Sequence, residues 1–355
     1  MKIAQVAPLW ERVPPPSYGG IELVVSHLTD ELVRRGHEVT LFASGDSQTL
    51  AHLQAVYPRA LRLDPKVKEY AVYEMLELSQ VYQQAMEFDI IHSHVGISAL
   101  PLANLVSTPT VHTLHGDFTK DNQKVFSHHK KQHYVSISNA QRQINLNYVD
   151  TVYNGINPED YPFEAQPQKP QYLAFLGRFS AEKGPHHAIA IAKQTGWRLK
   201  MAGKVDIADA KFFAQEIAPY IDGKQIEYLG EVSHAEKVEL LGKAAVTLFP
   251  ITWQEPFGLV MIESMATGTP VIAMNFGSVP EVIAQGKTGF ICQSFEEMAA
   301  SIPHALKLNR QTCQKYIVNK FSVHQMVDGY EAIYEKIIKD RIDLNGRIRA
   351  MKVKL

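Results

Sequence analysis

A chain of 355 residues is long for a single hydrophobic core and suits two domains. Its 36 Lys and Arg against 37 Asp and Glu leave a net charge of −1, which gives no electrostatic footprint for nucleic acid. An apolar fraction of 45%, two cysteines (Cys292 and Cys313) and no run near the ~20 apolar residues of a membrane span predict a soluble, cytoplasmic globule, not a disulfide scaffold or a membrane protein.

The N-terminal "KIAQVAP" reads as a buried strand, and its apolar run is too short for a signal peptide. Ile21, Val24, Val25, Leu28 and Leu32 then recur at helical spacing, with Gly36 as a stop. "HEVTLFA", "DIIHSH", "TPTVHTLHG", "HYVSIS" and "DTVYNG" are the next strand candidates. Short apolar strands alternating with helices predict a parallel sheet covered on both faces. The pattern pauses at "NPEDYPFEAQPQKPQ", residues 157–171, whose prolines and low apolar content mark a linker. It restarts with "YLAFLG", "WRLKMAG", "IEYLG", "AVTLFP", "TPVIAM" and "TGFIC". The expected fold is therefore α/β, with two Rossmann-like, doubly wound parallel-sheet domains facing across a cleft, over 1–160 and 168–321. Residues 322–355 form a long helix with a basic end (Arg347, Arg349, Lys352, Lys354).

Open parallel sheets bind ligands beyond the carboxyl ends of their strands. Three such loops share a theme: "PPPSYGGIE", "RFSAEKG" and "ITWQEPFG" each lead into a helix. A helix N-terminus offers unpaired N–H groups and a positive dipole end, and glycine lets backbone approach an anion. Arg178 and Lys183 add two cations beside the second loop, a place that suits a diphosphate. Surface charge is the plain alternative for both. The absence of G-x-G-x-x-G after the first strand, and of G-x-x-x-x-G-K-[ST] anywhere, weakens dinucleotide and P-loop readings. In "WQEPFGLVMIESMATGTPVIA" two glutamates, Glu255 and Glu263, flank the start of a helix near Phe257. At ~1.5 Å rise per residue both can reach one ligand held at the helix tip. Spacing alone favours the plainer reading, in which Glu255 caps the helix and Glu263 makes a surface ion pair.

"YGGIELVVSHLTDELVRRGHEV", "GRFSAEKG", "EPFGLVMIESMATGTPVIA", "SVPEVI" and "GKTGF" resemble, in order and spacing, the retaining nucleotide-sugar glycosyltransferases of family 4, of the GT-B fold. The likeness runs from Met1 to about Tyr334. It implies a donor site mostly on the C-terminal domain, an acceptor side on the N-terminal domain, and a tail helix crossing back. It also implies roles by position. Gly19 and Gly20 approach the donor phosphate, and Arg178 and Lys183 clamp the diphosphate. Glu255 binds hydroxyls of the transferred sugar, near N–H groups of Phe257, Gly258 and Leu259. Glu263 holds the ribose, His115 of "LHGDF" meets the sugar's 6-position, and Val232 of "GEV" contacts the base. "FPITWQE" is longer than the family's usual run, and "FGSVPE" places Ser278 where a second glycine is usual.

The implied reaction is transfer of a sugar from a UDP-, GDP- or ADP-sugar to a sugar, glycolipid or small-molecule hydroxyl, with no cofactor. No metal is expected. "HSH" (His92, His94) and the His128–His129 pair lack the spacing of a zinc site, and no Asp-x-Asp pair occurs. The basic "KVFSHHKKQHY" reads as a solvated helix face, with peripheral membrane contact as the alternative. A nucleotide-sugar 2-epimerase of the same architecture, or a non-catalytic nucleotide-sugar-binding subunit, are the competing functions.

Overall fold

A computed structural model describes residues 1–17 and 19–352, with side chains described to residue 342. The side chains of Arg347, Arg349 and Lys352, and all of Lys354, lie outside the described residues.

The first sheet holds β1 (Lys2–Val6), β2 (Glu38–Phe42), β3 (His52–Gln54), β4 (Ile90–Ser93), β5 (Thr110–Leu114), β6 (His133–Ser136) and β7 (Tyr148–Thr151), in the order β3-β2-β1-β4-β5-β6-β7. The second holds β8 (Tyr172–Leu176), β9 (Arg198–Ala202), β10 (Ile226–Tyr228), β11 (Val246–Phe249), β12 (Val271–Met274) and β13 (Gly289–Cys292), in the order β10-β9-β8-β11-β12-β13. Every pairing is parallel. Central strands such as β5 and β11 are buried along their whole length, as strands covered on both faces must be.

The helices of the first half are α1 (Gly20–Arg34), α2 (Tyr70–Gln83), α3 (Leu100–Ala103) and α4 (Asn122–His128). Those of the second are α5 (Pro185–Thr195), α6 (Ala210–Phe212), α7 (His234–Gly242), α8 (Leu259–Ala266), α9 (Val279–Val282), α10 (Phe295–Ala305) and α11 (Arg310–Lys320). Local chemistry starts several of them. Pro185 opens α5, where its missing N–H costs nothing. Ser233 and Glu236 form a reciprocal capping box on α7.

The last helix, α12 (Val323–Lys352), returns to the first sheet. Its Val323, Met326, Val327, Tyr330, Ile333, Tyr334 and Ile337 pack with Ile3, Ile90 and Val111 of the strands and with Val24, Leu28 and Leu32 of α1. Gly155 makes the return tight: a Cβ there would stand 2.4 Å from the Ser322 carbonyl oxygen.

Two strands differ from the sequence expectation. β3 was not expected, because "HLQ" is short and has a single apolar residue. The strand expected at "DTVYNG" begins earlier, at Tyr148, and ends at Thr151, since the chain then leaves the sheet to bridge Ile156 with Ser322. The segment 157–171 holds only one short 3₁₀ turn, Pro158–Asp160, yet it is more than a spacer. Tyr161 is fully buried within the core of the second sheet.

Candidate active site

Each sheet reverses its strand order once, between β1 and β4 in the first and between β8 and β11 in the second. Such switch points open a crevice at the carboxyl ends of the strands. Here the loops after β1, β5, β8 and β11 enclose one cleft of about 550 Å³. Its wall includes all eleven residues singled out in the sequence: Gly19, Gly20, His115, Arg178, Lys183, Val232, Glu255, Phe257, Gly258, Leu259 and Glu263.

The N-termini of α1 and α8 face one another across this cleft. A Cβ on Gly20, the first residue of α1, would lie 3.3 Å from Leu259 Cδ1, the first residue of α8. Both helices are preceded by glycine with positive φ, Gly19 at 146° and Gly258 at 77°. A side chain at Gly19 would come within 2.7 Å of Pro15, and one at Gly258 within 2.8 Å of Met261. Two sets of free N–H groups therefore point into the same space, a field suited to an anion.

Glu255 and Glu263 are both buried, and each is held by one oxygen. Glu255 Oε2 accepts from Lys183 Nζ at 2.5 Å and from Trp253 Nε1 at 3.1 Å. Lys183 also sits over the Trp253 ring, 4.7 Å from its centroid. Glu263 Oε1 accepts from Lys237 Nζ at 2.5 Å and from Tyr161 OH at 2.9 Å. Among the described residues, Glu255 Oε1 and Glu263 Oε2 have no protein hydrogen-bond partner. Each carboxylate thus has a tethered oxygen and one available to a ligand. Both plain alternatives for these glutamates fail. Gly258, not Glu255, caps α8, and the Glu263 ion pair is buried, with Lys237 only 12% exposed. The helix starts at Leu259 rather than near Phe257, so Glu263 stands about one turn in.

Arg178 is held by Glu182 and lies 3.8 and 3.9 Å from Asp206 and Asp209. Lys204 pairs with Asp206 at 2.6 Å and lines the same wall. Ser278 does not face the cleft: it is fully buried and donates to the Phe257 carbonyl at 2.8 Å. Gly277 beside it packs on the Glu255 backbone, where a Cβ would meet Glu255 O at 2.2 Å. The departure "FGSVPE" therefore braces the "EPFG" turn.

Burial pushes the Glu22 carboxyl, in the first turn of α1, up to about 7. Desolvation pushes the His115 imidazole down to about 4, although the half-buried residue lines the cleft. Tyr161, Lys237 and Trp253 escaped the sequence reading. Tyr161 lay in a segment read as linker, and Lys237 carried no motif at all. Among the described residues no group of three or more His, Cys, Asp or Glu could hold a metal, and no helix is long and apolar enough to cross a membrane.

Residues 18–160 match the family Glycosyltransferase Family 4, and residues 157–322 match Glycosyl transferases group 1, so the two matches together take in every strand but β1 and all eleven cleft residues named above. The chain is a family 4 glycosyltransferase. Among relatives of this glycosyltransferase, N-acetyl-alpha-D-glucosaminyl L-malate synthase of Bacillus anthracis is 26% identical, over 94% of this chain and 97% of its own length. Sucrose-phosphate synthase from Thermosynechococcus elongatus superposes with a TM-score of 0.79 at 18% identity, covering 96% of this chain and 100% of that one. The Anabaena protein HepE in complex with UDP-glucose superposes with a TM-score of 0.71 at 18% identity, covering 95% and 99%. The glycosyltransferase shares with them the GT-B fold of two parallel-sheet α/β units.

Proposed function

We propose that this glycosyltransferase is a retaining enzyme that takes its sugar from a nucleotide diphosphate sugar and works without a metal ion. The observation that carries the reading is the pair of tethered carboxylates on either side of two converging helix N-termini. A diphosphate at the N-termini of α1 and α8 would lie between Glu255, which meets sugar hydroxyls, and Glu263, which meets the ribose. Arg178 and Lys183 are the cations for the diphosphate, and Val232 lies where the base is read. HepE, of the same fold, is seen with UDP-glucose, which supports a donor of this class.

In the proposed reaction the bond from sugar C1 to the diphosphate oxygen breaks. Negative charge grows on the departing oxygen, where the N–H groups and cations stabilise it. The acceptor oxygen bonds to C1 from the face that the diphosphate leaves, and its proton passes to the departing phosphate. The products are the glycosylated acceptor and a protonated nucleoside diphosphate. The Bacillus anthracis relative, by its name a synthase of N-acetyl-alpha-D-glucosaminyl L-malate, makes small hydroxy acids a class to screen beside sugars and glycolipids.

The test is donor turnover with and without acceptors, after exhaustive chelation. Transfer that needs an acceptor, conserves the anomeric configuration and survives EDTA is expected. Turnover of donor alone would replace the reading with an epimerase. Activity abolished by EDTA and restored by magnesium or manganese would remove the metal-free part.

A further inference from the structure

Strands β1, β4 and β5 are neighbours, and alternate residues of each share one sheet face. Along that face the side chains change character. Ile3, Ile90 and Val111 are apolar and pack on α12. Two residues further on come Gln5, His92 and Thr113, and beyond these the buried His94 and, lining the cleft, His115. A buried apolar face has become a buried polar one, so each group needs a partner.

Each group has one. His115 Nε2 lies 2.8 Å from His94 Nδ1, and His94 Nε2 lies 3.1 Å from Gln5 Oε1. Gln5 Nε2 donates to Tyr334 OH of α12 at 3.1 Å, and that hydroxyl lies 2.6 Å from His92 Nδ1. His92 Nε2 lies 2.7 Å from Thr113 Oγ1, which lies 3.0 Å from Tyr330 OH. Gln5, His92, His94, Thr113, Tyr330 and Tyr334 are all buried. A chain of hydrogen bonds therefore runs from the cleft, through three strands, to the returning helix.

The chain has a direction. Burial holds His94 well below the ordinary imidazole range, and His115 follows for the same reason, so both rings are neutral near pH 7. A neutral imidazole has one N–H and one lone pair. The Gln5 carbonyl oxygen faces His94 Nε2, so the His94 proton sits there and Nδ1 carries the lone pair. His115 must then donate its Nε2–H to His94. Its other nitrogen, Nδ1, has no partner among the described residues.

We propose that Gln5, His94 and Tyr334 are positioning residues that lock His115 in the tautomer protonated at Nε2, presenting Nδ1 to the cleft as a hydrogen-bond acceptor. The wall at His115 then selects a substrate group that donates a hydrogen bond, a hydroxyl, and disfavours a carboxylate at the same place. The proposal rests on His115 belonging to the sugar site of the proposed function, but the tautomer itself does not.

The first measurement is therefore made without substrate. Nitrogen-15 NMR of histidine-labelled full-length protein, with His115 assigned by its loss in His115→Gln, reports which nitrogen is protonated. Protonated Nε2 and bare Nδ1 are expected in the wild type and in Gln5→Glu, which keeps an acceptor oxygen at His94 Nε2 and a second oxygen at Tyr334 OH. Gln5→Met removes both and should yield a mixture of tautomers. A His115 protonated at Nδ1 in the wild type would overturn the proposal.

The second measurement is kinetic. Tyr334→Phe, which deletes one oxygen, should lower kcat about three- to tenfold, the value of one hydrogen bond, with little change in KM. In a His115→Gln background the same change should have no further effect. An equal loss in both backgrounds would make Tyr334 merely structural and remove it from the set. If the NMR result holds and His115→Gln itself leaves kcat and KM unchanged, the tautomer stands and the place of His115 in the sugar site falls.

Discussion

Glu255→Gln tests the site most sharply, because the structure makes its two consequences opposite in sign. In the unliganded protein Glu255 neutralises Lys183 across 2.5 Å, with the two side chains only 8% and 20% exposed. A phosphate that takes Lys183 as partner would bind ~2.8 Å beyond the ammonium, hence roughly 5 Å from the Glu255 carboxylate. At an effective dielectric of about 20, two unit charges at that distance repel by ~3 kcal/mol, and solvent in the cleft screens part of this. Gln keeps the shape and an acceptor oxygen for Lys183 but removes the charge. Free nucleoside diphosphate should therefore bind about 5- to 30-fold tighter, for a gain of ~1–2 kcal/mol. Turnover should move the other way. Positive charge builds on the sugar ring as the C1–oxygen bond breaks, so losing the carboxylate should lower kcat by roughly 10- to 100-fold. Titration calorimetry with nucleoside diphosphates gives the first number, and steady-state kinetics with the sugar nucleotide gives the second. Weaker diphosphate binding, or full turnover, would refute the reasoning.

Glu263→Gln should weaken free nucleotide binding about tenfold and also lower stability by ~2 kcal/mol, because Lys237 loses its buried counter-ion; calorimetry and urea unfolding read the two effects separately. Lys183→Ala should cost about ten- to 150-fold in nucleoside diphosphate affinity, and unchanged calorimetry would take Lys183 out of the phosphate site. Acid should destabilise the fold. Burial holds His92 and His94 well below 6.5 and His112 at about 3, so below pH 6.5 the unfolded chain binds protons that the folded chain refuses. The stability these rings contribute is complete above pH 6.5 and falls by up to ~1.4 kcal/mol per pH unit for each ring below it. Unfolding midpoints in urea at pH 7 and 5.5 that coincide would contradict this.

The sequence by itself determined the parts that depend on neighbours in the chain. Runs such as "TLF" in β2 and β11 are apolar enough to be buried strands wherever they fall, so the alternation of strand and helix was legible. So were the glycines before α1 and α8, because a chain that must turn sharply into a helix at positive φ admits little else. β3 was not legible, because an edge strand of three residues owes its form to β2 and not to its own composition. Only the tertiary structure decided the partners. Lys183 lies 72 positions from Glu255, Tyr161 lies 102 from Glu263, and Gln5 lies 329 from Tyr334. Nothing in local periodicity carries such pairings. They arise when two sheets close a cleft and α12 returns to the first sheet, and burial then leaves each polar group to find its bond inside the protein.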